Sequence, residues 1–198
     1  MEAIAETPLG YLELILGPMW SGKTSRLLDL HKQYSVCGVP TMLINYAGDA
    51  ERGVPHTSIV SHDGRKATCR TVSRLSEIPA AEVAKVRVLL VNEAQFFPDV
   101  VSWIKSAVDV LGKRVHAAGL DGDYMRRPFG AWLDLIPLAD AISKLRAFCR
   151  GCRAREALFS HRTTESTQVE LIGAADIYEP LCRRCYLSAQ NTKVLEED

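Results

Sequence analysis

The sequence predicts an α/β fold in which helices cover both faces of a parallel sheet, with a small cysteine-containing module appended to it. Three observations carry this prediction. Short apolar segments alternate with segments of helical periodicity, a glycine-rich loop joins the first strand to the first helix, and two Cys-x-x-Cys pairs lie near the C-terminal end. The length of 198 residues suits one ordinary domain with such an appendage.

The first half of the chain contains the strand, helix and strand with which such folds begin. Residues 11–16 (YLELIL) form an apolar strand, and residues 23–33 carry leucines at helical spacing before a stop at Gly38. Residues 41–45 (TMLIN) form a second strand. The stretch that follows mixes Gly, Asp, His and Pro with little periodicity, so we expect an irregular connection with one strand near residues 68–72.

Three further strands and a helix complete the predicted sheet. Residues 86–91 (VRVLLV) are almost entirely apolar, as expected for a central parallel strand that is buried on both faces. A helix is predicted over residues 98–111, because its apolar residues recur at helical spacing and Pro98 is tolerated in a first turn. Residues 114–120 and 141–148 are the remaining strands.

The character of the chain changes after residue 148, where the cysteine pairs begin. We predict an α/β domain over residues 1–148 and a cysteine-containing domain over 149–187. Short strands are expected in the second domain at residues 159–162 and 168–172. The polar residues 188–198 are expected to be a disordered tail.

The composition excludes several classes of protein. The 24 basic and 24 acidic residues give a net charge of zero, which argues against a protein held to nucleic acid or to a membrane by bulk charge. We find no apolar run long enough to span a bilayer and no basic segment typical of a secretory signal. The six cysteines are therefore expected to be reduced or bound to metal.

A phosphate-binding loop is predicted between the first strand and the first helix. The motif G-x-x-x-x-G-K-[ST] is matched by eight consecutive residues: Gly17, Pro18, Met19, Trp20, Ser21, Gly22, Lys23 and Thr24. Its glycines let backbone N–H groups surround phosphate oxygens, and the helix N-terminus adds about half a positive charge. We expect Lys23 to reach the β- and γ-phosphates and the Thr24 hydroxyl to ligate Mg²⁺. A glycine-rich turn that matches by chance is the alternative.

An acidic residue is expected near the metal at the end of a later buried strand, and here Asn92 occupies that position, followed by Glu93. Asn92 can accept a hydrogen bond from a metal-bound water but brings no negative charge, so weaker binding of Mg²⁺ is expected. Glu93 is a candidate general base, with a solvated helix-capping acid as the alternative. Of Phe96 and Phe97, one is expected in the core and the other against a ligand.

The two cysteine pairs predict a structural zinc site. Cys149 and Cys152 are separated by 29 residues from Cys182 and Cys185, so two knuckles can offer four thiolates to one tetrahedral Zn²⁺. Four cysteines close the coordination sphere, so the metal would stabilise a loop too small to have its own core. A redox dithiol or unrelated buried thiols are the alternatives.

Together these features resemble one family, the type II thymidine kinases of cells and viruses. The resemblance covers roughly residues 9–187, through GPMWSGKT at 17–24, EAQFFPD at 93–99, LDGDYMRRPFG at 120–130 and IGAADIYEPLCRRC at 172–185. It implies a RecA-like P-loop fold with a zinc-binding lasso domain. It also implies transfer of the γ-phosphate of ATP to the 5′-hydroxyl of thymidine or deoxyuridine, in pyrimidine salvage, by a cytoplasmic homotetramer that uses Mg²⁺ and Zn²⁺. No membrane or nucleic-acid partner is expected.

The resemblance assigns roles to individual residues. Glu93 matches the catalytic base, and Lys23, Thr24 and Asn92 match the residues for phosphate and Mg²⁺, although the family usually has Asp at position 92. Near the triphosphate it places Gln95, Asp49 and Arg52. Between Asp49 and Arg52 this chain has one residue more than the Asp-x-Arg spacing that is usual in the family. Around the nucleoside it places these residues: Met19, Phe96, Leu120, Tyr124 (usually Phe), Phe129, Ser160 and Tyr178. A lasso loop that closes over the base comprises Tyr178 and these residues: Val169, Glu170, Leu171, Ile172 and Gly173.

Two other functions share parts of this pattern. A nucleic-acid-dependent ATPase with a zinc ribbon would also have a phosphate loop and cysteine knuckles, and the basic residues of the appendage favour it. The short chain and its net charge of zero argue against it. A non-catalytic relative that binds nucleotide as a sensor is favoured by Asn92 alone, whereas Lys23, Thr24 and Glu93 argue for an enzyme.

Overall fold

The computed structural model describes residues 9–48, 57–61, 64–164 and 177–195, with side chains described as far as residue 190. The strands in this part of the chain are β1 Tyr11–Leu16, β2 Thr41–Tyr46, β3 Ser58–Val60, β4 Lys66–Thr68, β5 Arg70–Val72, β6 Val88–Val91, β7 Arg114–Gly119, β8 Ala141–Lys144, β9 Ala147–Phe148, β10 Glu156–Ala157, β11 Phe159–Arg162 and β12 Tyr178–Leu181. The α-helices are α1 Lys23–Val36, α2 Ala80–Ala84, α3 Val100–Lys105 and α4 Arg183–Leu195. Short 3₁₀ segments cover Leu75–Glu77, Ala94–Phe96 and Ala131–Leu138.

Six strands form one parallel sheet in the order β5-β2-β6-β7-β1-β8. The predicted α/β class is therefore confirmed. Because β7 lies between β1 and β6, the loop after β1 and the residues after β6 meet at the carboxyl edge of the sheet. Ligands of open α/β sheets bind at that edge.

Apolar side chains cover both faces of the sheet. On one face, Leu14 and Leu89 pack with α3 and with the fully buried Trp132. On the other face, Ile15 and Leu90 pack against the leucines of α1. Burial on both faces explains why β6 is a continuous apolar run, VLLV, with all four residues buried.

The cysteine module, residues 147–164 and 177–190, has two hairpins and a small apolar cluster of its own. β9 pairs with β10, β11 pairs with β12, and both pairs are antiparallel. Ala147, Leu181 and Tyr186 are buried in the cluster together with Cys149 and Cys182. The division into two domains stays a prediction, and the predicted strand over 168–172 lies outside the described residues.

Two predicted elements of the α/β domain, a strand and a helix, differ from the structure. The predicted strand 141–148 is two strands, because the Leu145 N–H makes a last sheet hydrogen bond to Leu16 and the chain then enters the cysteine module as β9. The predicted helix 98–111 begins at Val100, since Phe97 is extended, and ends in a π-helical turn over Ser106–Val110. The described residues contain no helix long and apolar enough to cross a bilayer.

The expected disordered tail is helical over most of its length. α4 runs from Arg183 to Leu195 and so includes residues 188–195. Its Tyr186 and Ala189, three positions apart, both pack in the apolar cluster of the cysteine module. This tertiary contact stabilises a helix in a segment whose polar composition predicts disorder. Residues 196–198 lie outside the described part of the chain.

Candidate active site

The loop between β1 and α1 has the backbone of a phosphate cradle. Gly22, directly before α1, has φ 84°, and Trp20 has φ 65°, a left-handed conformation that non-glycine residues seldom adopt. A Cβ on Gly17 would lie 2.6 Å from the Ser21 hydroxyl and 2.8 Å from the Leu145 carbonyl oxygen, so no other residue fits there. The loop therefore curls tightly, as the motif predicts.

Lys23 and Ser21 give this loop polar groups that fit an anion. The Lys23 ammonium donates to the Pro18 carbonyl at 2.8 Å. Although Lys23 is only partly buried as a residue, desolvation of its ammonium lowers its pKa to about 8, against the opposing effect of Glu93 and Asp121. The buried Ser21 hydroxyl has no hydrogen-bond partner among the described residues. Phosphate oxygens would satisfy both groups, so the loop fits a nucleotide triphosphate.

Thr24, in the first turn of α1, contacts the residue after β6. Its hydroxyl donates to the Asn92 side-chain oxygen at 3.3 Å. The Asn92 amide in turn donates to the Asn45 side-chain oxygen at 2.8 Å. An oxygen-presenting pair of this kind fits a hard cation such as Mg²⁺, which is bound by oxygen ligands and retains several waters.

Glu93 lies directly after Asn92 and has left-handed backbone with φ 54°. Such a conformation costs about 1–3 kcal/mol for a non-glycine residue and is concentrated at functional sites. The Gln95 amide donates to a Glu93 carboxylate oxygen at 2.6 Å, while its own oxygen accepts from the Leu120 N–H at 3.0 Å. The Glu93 side chain does not cap the following 3₁₀ segment. The helix-cap alternative is thus not supported.

Aromatic side chains lie beside Glu93. Phe97 is 2% exposed and belongs to the core, whereas Phe96 is partly exposed, the division of roles expected from the sequence. The Phe96 ring stacks on Tyr46 at 5.2 Å and meets the edge of Phe129 at 5.3 Å. These rings offer flat apolar surfaces next to the carboxylate.

The cysteine module contacts both loops of the site. The Ser160 hydroxyl accepts from the Met19 N–H of the phosphate loop at 2.9 Å. The Tyr186 hydroxyl donates to the Tyr124 carbonyl oxygen at 2.6 Å. The module therefore contacts the loop that follows β1 and the segment that follows β7.

Arg162, which the sequence motifs did not single out, contacts two of the predicted site residues, Tyr124 and Tyr178. Its side chain is buried, its guanidinium lies 3.9 Å from the centre of the Tyr124 ring, and its Nε donates to the Tyr178 hydroxyl at 3.1 Å. A buried arginine needs such partners. No local sequence motif indicates this cluster, because Tyr124, Arg162 and Tyr178 come from separate segments of the chain.

The four predicted zinc ligands converge. The sulfur atoms of Cys149, Cys152, Cys182 and Cys185 all lie within 4.8 Å of one another, and all four are free thiols. Tetrahedral zinc with bonds of about 2.3 Å separates its sulfurs by about 3.8 Å, so the cluster is compatible with zinc. Burial opposes ionisation of Cys149, but backbone N–H donors that include Cys182 outweigh it and lower its pKa to about 6. The thiolate is the form that binds metal.

Some predicted site residues lie outside the described part of the chain. They are Asp49 and Arg52 near the triphosphate and the lasso residues Val169, Glu170, Leu171, Ile172 and Gly173. Their roles stay predictions.

Comparisons with known proteins identify the family. The family model described as Thymidine kinase matches residues 10–186. The chain belongs to the thymidine kinase family. It is 43% identical to a thymidine kinase of rice, Oryza sativa subsp. japonica, over 96% of this chain and 70% of the rice protein.

Viral relatives are matched over nearly their whole length. A thymidine kinase of Monkeypox virus is 36% identical over 91% of this chain and 98% of the viral protein. That of Vaccinia virus, strain Western Reserve, is 35% identical with the same coverage. The resemblance drawn from the motifs is thereby confirmed, and membership of the thymidine kinase family makes the protein a kinase.

Proposed function

We propose that the protein transfers the γ-phosphate of ATP to the 5′-hydroxyl of thymidine, and also of deoxyuridine, and so supplies thymidine monophosphate in cytoplasmic pyrimidine salvage. One observation carries the proposal beyond the family assignment. The hydrogen bond from the Thr24 hydroxyl to Asn92 at 3.3 Å brings their chain neighbours Lys23 and Glu93 to the same edge of the sheet, and there the Glu93 charge opposes the desolvation that lowers the pKa of Lys23 to about 8. A candidate base and a candidate phosphate-binding cation would then share one reaction space.

ATP would be held by Lys23 and by backbone N–H groups of the phosphate loop, residues 17–24, in which Pro18 has none to donate. The Thr24 and Asn92 oxygens would hold Mg²⁺, directly or through water. When bound, the metal supplies neutralisation of the triphosphate charge. Glu93 would orient the 5′-hydroxyl and accept its proton, with Gln95 fixing the carboxylate. Asp49 and Arg52 are proposed to act near the triphosphate.

The nucleoside would lie among the partly exposed aromatic and apolar side chains beside Glu93. These are Met19, Phe96, Leu120, Tyr124 and Phe129, with Ser160 and Tyr178 contributed by the cysteine module. Residues 169–173 are proposed to close over the base and to hold its edge with main-chain groups. Such a clamp excludes water and rejects the reversed donor–acceptor edge of cytosine.

The four cysteines would hold Zn²⁺ with no open coordination position, so this metal would be structural. Its binding would stabilise a module whose own apolar cluster is small. A homotetramer is proposed from family resemblance alone.

A phosphorylation assay across thymidine, deoxyuridine and deoxycytidine tests the proposed function. Thymidine and deoxyuridine are expected to be phosphorylated and deoxycytidine to be rejected. ATP turnover that depends on a polynucleotide and ignores thymidine would support the nucleic-acid-dependent ATPase. ATP binding without phosphorylation of any nucleoside would support the sensor.

ATP affinity is expected to fall as the pH rises through about 8. With a pKa of about 8, Lys23 of the free site loses its proton above this pH, whereas the triphosphate favours its charged form. Lys23 must then take up a proton when ATP binds. The affinity for ATP therefore falls by at most about tenfold per pH unit. Calorimetry from about pH 7 to about pH 9.5 measures this. Lys23→Arg stays charged throughout and should show a flatter profile; a flat wild-type profile would contradict the expectation.

Arg162→Met is expected to raise KM for thymidine by about tenfold or more and to leave KM for ATP within about twofold. It removes a desolvated cation–π contact with Tyr124 and the hydrogen bond to Tyr178. Steady-state kinetics with each substrate varied gives both constants. The exposed Arg155→Met is the matched control and should behave as wild type. Equal changes in the two KM values would contradict a role confined to the nucleoside.

A further inference from the structure

We infer that Asn45 is a positioning residue for the metal end of the site, because it fixes the orientation of the Asn92 side-chain amide. The inference rests on the proposed use of ATP with Mg²⁺. Neither the motifs nor the family resemblance pointed to Asn45, which lies one residue before the end of β2.

The sheet register brings the two asparagines together. β2 and β6 are parallel neighbours with Ile44 opposite Val91, and the Asn92 N–H donates to the Ile44 carbonyl at 2.9 Å. Asn45 and Asn92 are therefore the next residues on two hydrogen-bonded segments. Their side chains are 2% and 3% exposed. Buried amides are held by their hydrogen bonds, because unpaired amide groups away from water are costly.

The hydrogen bonds of Asn92 fix the orientation of its side-chain amide. Its nitrogen donates to the Asn45 oxygen at 2.8 Å, and its oxygen accepts from the Thr24 hydroxyl at 3.3 Å. A primary amide carries its donors on one atom and its acceptor on the other. Occupying the nitrogen with Asn45 thus turns the oxygen toward Thr24.

This polarity matters for a cation. A threonine hydroxyl that ligates a metal uses an oxygen lone pair, so its proton needs another acceptor, and the Asn92 oxygen is placed to be that acceptor. If the amide were reversed, its NH₂ group would face the hydroxyl, compete for the same lone pair and point positive hydrogens at the cation. Asn92 has no formal charge. It can therefore attract a cation only through the negative end of its amide dipole, which is the side-chain oxygen.

The alternative is that Asn45 only stabilises the pairing of β2 with β6. In that case, loss of its side chain would lower stability and would weaken ATP binding equally with and without Mg²⁺. The positioning role predicts a change confined to the magnesium-dependent part of binding. The two roles therefore differ in a measurement that needs no turnover.

The test compares ATP affinity in EDTA with ATP affinity in saturating Mg²⁺, by calorimetry on the full chain. The ratio of the two affinities is the magnesium coupling. Asn45→Leu has the same number and branching of side-chain heavy atoms but no acceptor, and Asn45→Val is a second apolar variant suited to a strand. Asn45→Asp keeps an oxygen to accept from the Asn92 nitrogen. Thermal unfolding and thymidine affinity are recorded for each variant.

Both apolar variants should lose about tenfold in magnesium coupling, the usual scale for a partner behind a metal ligand, while ATP affinity in EDTA stays within about twofold. Asn45→Asp should keep the wild-type coupling or exceed it. Unchanged coupling in the apolar variants, or an equal loss in Asn45→Asp, would overturn the inference. A wild-type protein that fails to phosphorylate thymidine would instead overturn the proposed function.

Discussion

Glu93→Gln is expected to lower kcat for thymidine phosphorylation by at least about 10²-fold, the usual scale for a positioned general base. The substituted amide oxygen can still accept from the Gln95 amide, which donates to Glu93 at 2.6 Å, so the local structure should survive. The substitution removes the carboxylate that accepts the proton of the attacking hydroxyl. KM for ATP should change little. Steady-state kinetics with both substrates varied gives the required constants.

Glu82→Gln is the control for this substitution. Glu82 lies in α2, where its partly exposed carboxylate pairs with Arg70 at 3.5 Å. This surface pair should contribute little, and the control should retain wild-type kinetics. A near-normal kcat in Glu93→Gln would remove Glu93 from the mechanism.

Removal of the proposed zinc, by chelation or by Cys149→Ser, is expected to raise KM for thymidine by at least about tenfold. Metal binding supplies much of the folding free energy of small metal modules, so its loss should loosen the cysteine module. That module positions Tyr124 through the Tyr186 hydroxyl and supplies Arg162. ATP affinity should fall less, because Lys23 and Thr24 begin helix α1, outside the module, which reaches the preceding loop through contacts such as the Ser160–Met19 hydrogen bond.

The exposed Cys37→Ser is the matched control and should keep both its zinc and its kinetics. Metal analysis of the protein before and after chelation accompanies the assay. An active preparation without zinc would contradict the structural role of the metal. Equal losses of thymidine and ATP affinity would show that the module supports the whole fold.

The sequence predicted best those elements whose signals are local. β1 ends where expected because a mostly apolar run meets Gly17, and α1 follows a motif that requires a helix there. The four cysteines converge as their spacing indicated. In each case, short sequence motifs carry the information.

Features that depend on tertiary contacts were not predictable in this way. The strand expected over 141–148 divides because Leu145 ends the pairing with β1 and Ala147 begins a new pair with Ala157. Helix α4 continues past residue 188 because Tyr186 and Ala189 find an apolar cluster. Asn45 and Arg162 become informative only when sheet register and module packing bring distant segments together.

A crystal structure with thymidine and a non-hydrolysable ATP analogue tests the central claim most directly. We predict a thymidine 5′-oxygen about 3 Å from a Glu93 carboxylate oxygen, aligned with the γ-phosphate of an analogue bound to Lys23. A complex in which thymidine binds away from Glu93, or in which another group contacts the 5′-oxygen, would contradict the account.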